Sequence, residues 1–308
     1  MFEPAVIILR LAQYVGATVL TGSSLFLIYA LPASGPAAAG PACWPRRLLV
    51  AAAFLLAATA LLGLGAQSVM LSGSIAEGVK LETLSAVVSG IDLGKAAIVR
   101  SAAALSAALL LGLLPPSRLS WIVAASLGLI ATASLAWMGH GAVTEGALGQ
   151  LHLASDILHA LAAAVWIGAL VAFFGLLVAR HRSAEANEAL HGALHRFSGV
   201  GSALVAVLVA TGLVNSWVLV GPDRLGALWT TPYGQLLSLK VTLFAGMLAL
   251  AAGNRFRLVP ALGRANVVGS SDAALRALRR SIALEAILGF AVLCLVAWFG
   301  TLAPPASG

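Results

Sequence analysis

The chain has 308 residues, 60% of them hydrophobic and only 9% charged. That balance excludes a soluble globular domain and points to lipid as the solvent. The formal net charge of +7 carries no nucleic-acid reading, because the basic residues fall in the breaks between apolar runs and no RNA- or DNA-binding pattern accompanies them.

In chain order, eight apolar runs are long enough to cross a bilayer as helices: 5–31, 48–71, 94–114, 119–138, 150–179, 196–220, 235–252 and 281–302. The breaks between them carry turn chemistry at Pro32 to Pro45, Pro115-Pro116, Gly139 to Gly149, and Gly221-Pro222 through Thr231-Pro232. The expected fold class is therefore all-α, a polytopic helical membrane bundle. It divides into an N-terminal four-span region, 1–149, and a C-terminal four-span region, 150–308. The N-terminus carries Glu3, no basic stretch and no short cleavage site, so it reads as a first span rather than a cleaved signal. Cys43 and Cys294 are the only cysteines. They fall on opposite sides in this topology and are not expected to pair. With no Cys-x-x-Cys, thiolate-rich metal sites and dithiol redox chemistry are not expected either.

Orientation follows from the arginines. The loops after the first, third, fifth and seventh runs contain Arg46, Arg47, Arg118, Arg180, Arg182, Arg196, Arg255, Arg257, Arg264, Arg276, Arg279 and Arg280, against Lys80 and Arg224 on the other side. This bias puts the first set in the cytoplasm and both termini in the periplasm of a bacterial inner membrane.

The fifth run carries the chemistry. A helix turns 100° per residue, so His152, Asp156, His159, Ala163 and Trp166 form one stripe on an otherwise apolar surface. Two imidazoles and a carboxylate on one membrane-helix stripe are costly unless they face protein, water or a bound ion. The alternative is a polar seam that only hydrogen-bonds neighbouring helices. His152 and His159 are two turns apart, ~10 Å along the axis, too far to share one metal. Asp156 can share an ion with either. The stripe therefore reads as two successive stations leading inward, not a closed four-ligand site.

Other metal-capable residues gather at the outer ends. Met70 closes the second run, Met138 closes the fourth, and His140 follows in the loop that also holds Glu145. Thioether and imidazole suit Cu(I), and imidazole with carboxylate suits Cu(II); gap-filling is the plainer role for a Met at a helix end. The candidate metal set is Met70, Met138, His140, His152, Asp156 and His159. Further polar groups at membrane depth are Asp92, Lys95, Arg100, Asn215, Lys240 and Glu285, with Arg100 paired to Glu285 or Asp92 as the structural alternative. On the cytoplasmic side, Arg180, His181, Arg182, His191, His195 and Arg196 read as a solvated basic loop.

The segment SDILHALAAAVWIGAL, with its Asp156, His159 and Trp166-x-Gly168, resembles the copper resistance protein D family of bacterial inner-membrane proteins. So do Gly139-His140 and the series Arg196, Ser198, Thr211-Gly212, Asn215, Thr231-Pro232-Tyr233-Gly234, Lys240 and Asn254-Arg255. The resemblance implies eight spans, copper ion as the bound species and a periplasmic copper-carrier protein as partner. It departs at Gln13, where family members carry a His in the first span, so a first-span ligand is absent or altered here.

The function these features suggest is copper binding and copper transport across the inner membrane, entering through Met and His at the periplasmic face and passing along the stripe. The chain is expected to be no enzyme and to use no ATP, since it has no Gly-rich phosphate loop. A b-type cytochrome, with haem held by His between helices, is the rival from another class. A copper-delivering membrane factor that does not translocate the ion is the third reading.

Overall fold

The computed structural model describes residues 3–30, 43–139, 142, 146–179, 184–268 and 271–307, and these are helical or in turns, with no strand among them. Eight helices are long and apolar enough to cross a membrane: Pro4–Tyr29, Trp44–Ser72, Asp92–Leu113, Arg118–Met138, Leu148–Val178, Leu190–Leu219, Pro232–Val267 and Asp272–Phe299. They are spans 1 to 8 below. The molecule is a polytopic helical membrane protein. Alternate crossing brings the start of span 1 and the end of span 8 to one end, the terminal face. The arginine-rich connections lie at the opposite end, the basic face.

Two spans differ from the sequence reading in an instructive way. Span 7 continues to Val267 instead of stopping near 252. Asn254, Arg255 and Arg257 suggest a polar helix end, but the chain widens there into a π-helical turn, Asn254–Leu258, and resumes as an α-helix, Val259–Val268. Pro260 falls just past this turn, where backbone bonding is already rearranged. Span 6 belongs to a helix that begins at Ala184. His191 and His195 thus lie on helical turns rather than in a solvated loop, while Arg180, His181 and Arg182 lie outside the described residues. Span 7 starts sharply because Thr231 caps it, its hydroxyl accepting from Gly234 N–H at 3.1 Å, with Pro232 in the first turn.

Besides smaller clusters around Tyr233 and around Val87, the spans build two large buried cores. The first, among spans 1 to 4, is made largely of small residues, including Ala17, Ala53, Ala103, Ala104, Ala107 and Ala124. Lipid gives helices no hydrophobic reason to associate, so close approach over small side chains supplies the attraction. The second, among spans 1 and 5 to 8, is aromatic and aliphatic. Phe26 and Phe173 meet edge-on at 4.5 Å between centroids, and Phe173 meets Phe197 at 5.4 Å.

Span 1 joins both cores. Its own π-helical turn, Val19–Ser23, is wholly buried. Here it crosses span 5 backbone to backbone. A Cβ on Gly168 would stand 2.4 Å from the Thr18 carbonyl oxygen, and one on Gly22 would stand 2.0 Å from the Ala164 carbonyl oxygen. The crossing is pinned by Ser23 Oγ donating to the Gly168 carbonyl at 2.8 Å, and a 2.8 Å hydroxyl contact between Thr21 and Thr132 ties the same turn of span 1 to span 4. Span 5 buries 56% of its apolar window, whereas spans 6 and 7 bury 11% and 6%. Span 5 is the axis of the bundle, and spans 6 and 7 close its outer flank.

Candidate cation site on span 5

The stripe read from the sequence exists as a set of side chains shared between spans 5, 6 and 7. His152 is fully buried, and its Nε2 lies 3.8 Å from Asp156 Oδ2, the geometry expected four residues apart on a helix. Asp156 is partly buried. Its Oδ1 accepts from Asn215 Nδ2 at 2.6 Å. The Asn215 Oδ1 atom is buried with no hydrogen-bond partner among the described residues. Gly139 sits over Asp156: a Cβ there would be 3.6 Å from Oδ2. The chain that leads to His140 therefore passes directly above the carboxylate, although His140 and Glu145 themselves lie outside the described residues.

One turn deeper, His159 Nδ1 lies 2.9 Å from Thr211 Oγ1. The Thr211 hydroxyl already donates to the Val207 carbonyl at 2.6 Å. It has one proton, so it accepts from His159. The neutral imidazole then carries its proton on Nδ1 and presents the Nε2 lone pair for a metal, the arrangement in which an outer partner fixes the tautomer of a ligand. Ser155 Oγ donates to the Thr211 carbonyl at 3.1 Å, holding spans 5 and 6 together here.

Below the stripe is a cavity of about 250 Å³ lined by His159, Ala163, Trp166, Gly212, Lys240 and Phe244, among others. Lys240, from span 7, interacts electrostatically with both Asp156 and His159. It also lies over the Phe299 ring at 5.6 Å. When protonated, Lys240 is a cation in the field of Asp156 that a metal ion at the carboxylate has to compete with.

The two methionines sit elsewhere. Met138, on the 3-10 turn Ser134–Met138, accepts at its sulfur from Arg100 Nη1 at 2.7 Å. Arg100 is 1% exposed and also donates to Gln13 Oε1 at 2.5 Å, to Ser134 Oγ at 3.0 Å and to the Ser134 carbonyl at 2.6 Å. Arg100 thus pairs with neither Glu285 nor Asp92. Asp92 forms an exposed ion pair with Lys95 at 2.9 Å. Gln13, where the family resemblance leads one to expect a His, orients this guanidinium and donates to the Thr59 carbonyl at 3.2 Å. Met70 is exposed at the terminal end of span 2. Among the described residues no three His, Cys, Asp or Glu side chains converge tightly enough to form a closed metal centre. The structure brings together His152, Asp156 and His159, and surrounds them with Thr211, Asn215 and Lys240, which the sequence reading left outside the site. A signal for two of these was present: Thr211 and Asn215 are four apart, so they share a face of span 6.

The eight-helix fold defines a multi-pass membrane protein, and this partly buried stripe places titratable groups on its central helix. Comparison with known proteins then gives the family. The copper resistance protein D family matches residues 191–299, and the copper resistance protein D-like N-terminal domain matches residues 1–150. Copper resistance protein D of Pseudomonas syringae pv. tomato is 38% identical over 314 aligned positions, covering 99% of this chain and 98% of that one. The chain belongs to the copper resistance protein D family. It is also 32% identical to inner membrane protein YebZ of Escherichia coli over 55% of each chain. Copper transport protein CutJ of Bacillus subtilis is 30% identical over 55% of this chain and 28% of its own length. No solved structure matches.

The residues that carried the resemblance now have physical roles. In Trp166-x-Gly168, the glycine permits the crossing with span 1, and the indole Nε1 donates to Glu285 Oε1 at 2.7 Å. In Tyr233-Gly234, the ring packs edge-on to Phe299 at 5.3 Å, and a Cβ on the glycine would stand 2.1 Å from the Ala227 carbonyl oxygen. In Asn254-Arg255, the amide donates to Glu285 Oε2 at 3.0 Å, and the guanidinium bonds to the Ser198 carbonyl at 3.2 Å and to the Ser202 hydroxyl.

Proposed function

We propose that this chain handles copper in a bacterial inner membrane, taking the ion at the periplasmic face and passing it inward along span 5. The terminal face is then periplasmic, as the arginine bias favours, and a periplasmic copper-carrier protein is the donor. The observation that carries this reading is the His152–Asp156–His159 stripe, its first member buried and the other two half-buried, on the central helix of a copper resistance protein D family member. The relatives named for copper resistance and copper transport support the choice of ion, and the inner membrane protein among them supports the location.

In this reading Met70, Met138 and His140 form the approach, His152 with Asp156 the first station, and Asp156 with His159 the second. Copper(I) competes with the Arg100 guanidinium for the Met138 sulfur, so the approach opens only when that contact is released. Asn215 Oδ1 offers an additional oxygen donor. The protein acts as a carrier rather than an enzyme, and movement is downhill or coupled to another gradient. The haem alternative finds, among the described residues, no pair of imidazoles from facing helices in the cavities of about 250 Å³ and 650 Å³: His159 is the one imidazole of the first, and those of the second, His191 and His195, both belong to span 6.

The test is copper binding at equilibrium and copper uptake into proteoliposomes for His152→Ala and His159→Ala. The first is expected to raise the copper concentration needed for half-maximal uptake. The second is expected to leave capture largely intact and slow passage. Identical behaviour of the two variants rules out two stations, and parental behaviour of both makes the stripe a packing seam.

A further inference from the structure

A second buried acid lies beyond the stripe. Glu285, on span 8, is 2% exposed. Both its oxygens are engaged by neutral N–H donors, Oε1 by Trp166 and Oε2 by Asn254. Among the described residues no Lys or Arg forms an ion pair with it. Taking an unpaired carboxylate out of water costs several kcal/mol, which two hydrogen bonds offset only in part. Ionisable groups kept at membrane depth on such terms mark ion or proton paths.

Its surroundings are asymmetric. Glu285 lines a cavity of about 650 Å³ whose other polar walls are His191, His195, Ser198, Ser202, Asn254 and Arg255, at the basic face. It does not line the 250 Å³ cavity at His159. Trp166 lines both, and its ring meets Phe244 edge-on at 5.9 Å. The indole is the wall between the cavities, and the group it bonds is the acid.

Asn254 supplies the second observation. It opens the π-helical turn of span 7, and its Oδ1 is buried with no partner among the described residues. An amide has a donor end and an acceptor end. With Nδ2 toward Glu285 it serves a carboxylate; rotated, with Oδ1 toward Glu285, it accepts from a carboxylic acid O–H. The spare acceptor is the part that only the protonated acid uses.

We propose that Glu285 is a proton-exchanging site open to the basic face through the larger cavity and closed toward His159 by Trp166. A proton enters from cavity water onto Oε2, the Asn254 amide turns, and release reverses both movements. The charged and titratable groups on the elements around Glu285 are His191, His195 and Arg196 of span 6, Tyr233, Arg255, Arg257 and Arg264 of span 7, His152, Asp156 and His159 of span 5, Tyr14 and Tyr29 of span 1, and Asp272, Arg276, Arg279, Arg280 and Cys294 of span 8 itself. Span 1 brings Arg10 against Gly300 at the far end of span 8, and Lys240 stays in the smaller cavity beside Phe299. As the coupling group for copper movement Glu285 depends on the function proposed above; as a proton site it does not.

The experiment uses a carbodiimide, which adds the O–H of a protonated carboxyl across its C=N bond to give an O-acylisourea, read by peptide mass spectrometry. In copper-free proteoliposomes Glu285 is expected to be labelled in acidic buffer, with loss of label in alkaline buffer and in Glu285→Gln. An impermeant carbodiimide is expected to reach it only from the side on which an impermeant maleimide reaches the Ser202→Cys variant. Trp166→Ala is expected to open labelling from both sides. Asn254→Leu, which removes both the donor to Oε2 and the spare acceptor, is expected to shift the pH at which label is lost. Absence of label in the parent protein overturns the proposal even if Glu285→Gln fails to fold, and so does equal labelling from both sides of the parent. Because no copper is present, these outcomes are independent of the His152 and His159 uptake results.

Discussion

Gly168→Leu is expected to yield no folded, monodisperse protein in detergent. The position has no space for even one carbon: a Cβ would lie 2.4 Å from the Thr18 carbonyl oxygen and 2.5 Å from the Gly22 Cα. Both atoms are backbone, so no side-chain rotation relieves the clash. Overpacking an ordinary core costs about 1–3 kcal/mol, and here spans 1 and 5 must separate, which also breaks the Ser23 bond to the Gly168 carbonyl. Span 1 contributes to both cores, so its displacement disturbs the whole bundle. Gly199→Leu is the control, since its built Cβ meets nothing within 4 Å, and it is expected to elute as the parent does. Size-exclusion profiles and thermal unfolding in detergent decide the matter. A parental profile for Gly168→Leu would mean that the two backbones do not meet.

The second large effect is a pair of opposite signs. Asp156→Asn is expected to weaken copper binding by roughly 10–100-fold, the range found when a carboxylate that binds or orients a metal ligand is lost. Lys240→Met removes the competing ammonium and is expected to strengthen binding by on the order of 1–2 kcal/mol, or roughly tenfold. The two charges offset each other, so the double variant is expected to depart from the sum of the singles. Isothermal titration with copper, with zinc in parallel, measures all three. If Lys240→Met weakens binding, lysine is a support of the site rather than a competitor in it.

The fold was legible because membrane spans announce themselves by length and apolarity. The stripe was legible because three titratable residues on one face of an apolar helix have no cheap explanation. Partners from other helices were harder. Thr211 and Asn215 lie on span 6, and nothing in the local pattern says which face turns toward span 5. Arg100 could be recognised as buried, but its acceptors are Gln13, Ser134 and a thioether, neutral atoms that a search for opposite charge passes over. The extent of span 7 was misjudged because Asn254, Arg255, Arg257 and Pro260 resemble a helix end. The backbone absorbs them with a wider turn, a solution that composition does not reveal. Trp166 and Gly168 were visible as a motif, yet their separate roles, one electrostatic and one steric, emerge only when spans 1 and 8 are in place.

The wider turn at Asn254–Leu258 also bears on how this chain tolerates changes in length. A π-helical turn holds one more residue than an α-turn does, so a one-residue deletion within it lets span 7 close up as an unbroken α-helix. Deletion of Phe256, for example, removes no charged group. Because the wider turn absorbs the extra residue, its loss leaves the helix on either side facing nearly as before, whereas the same deletion in an α-helical stretch turns one side by about 100° relative to the other. Asn254 and Lys240 both precede the deleted position, so the faces they present to Glu285 and to the cavity at His159 stay aligned. In this segment span 7 can lose one residue without redirecting either end.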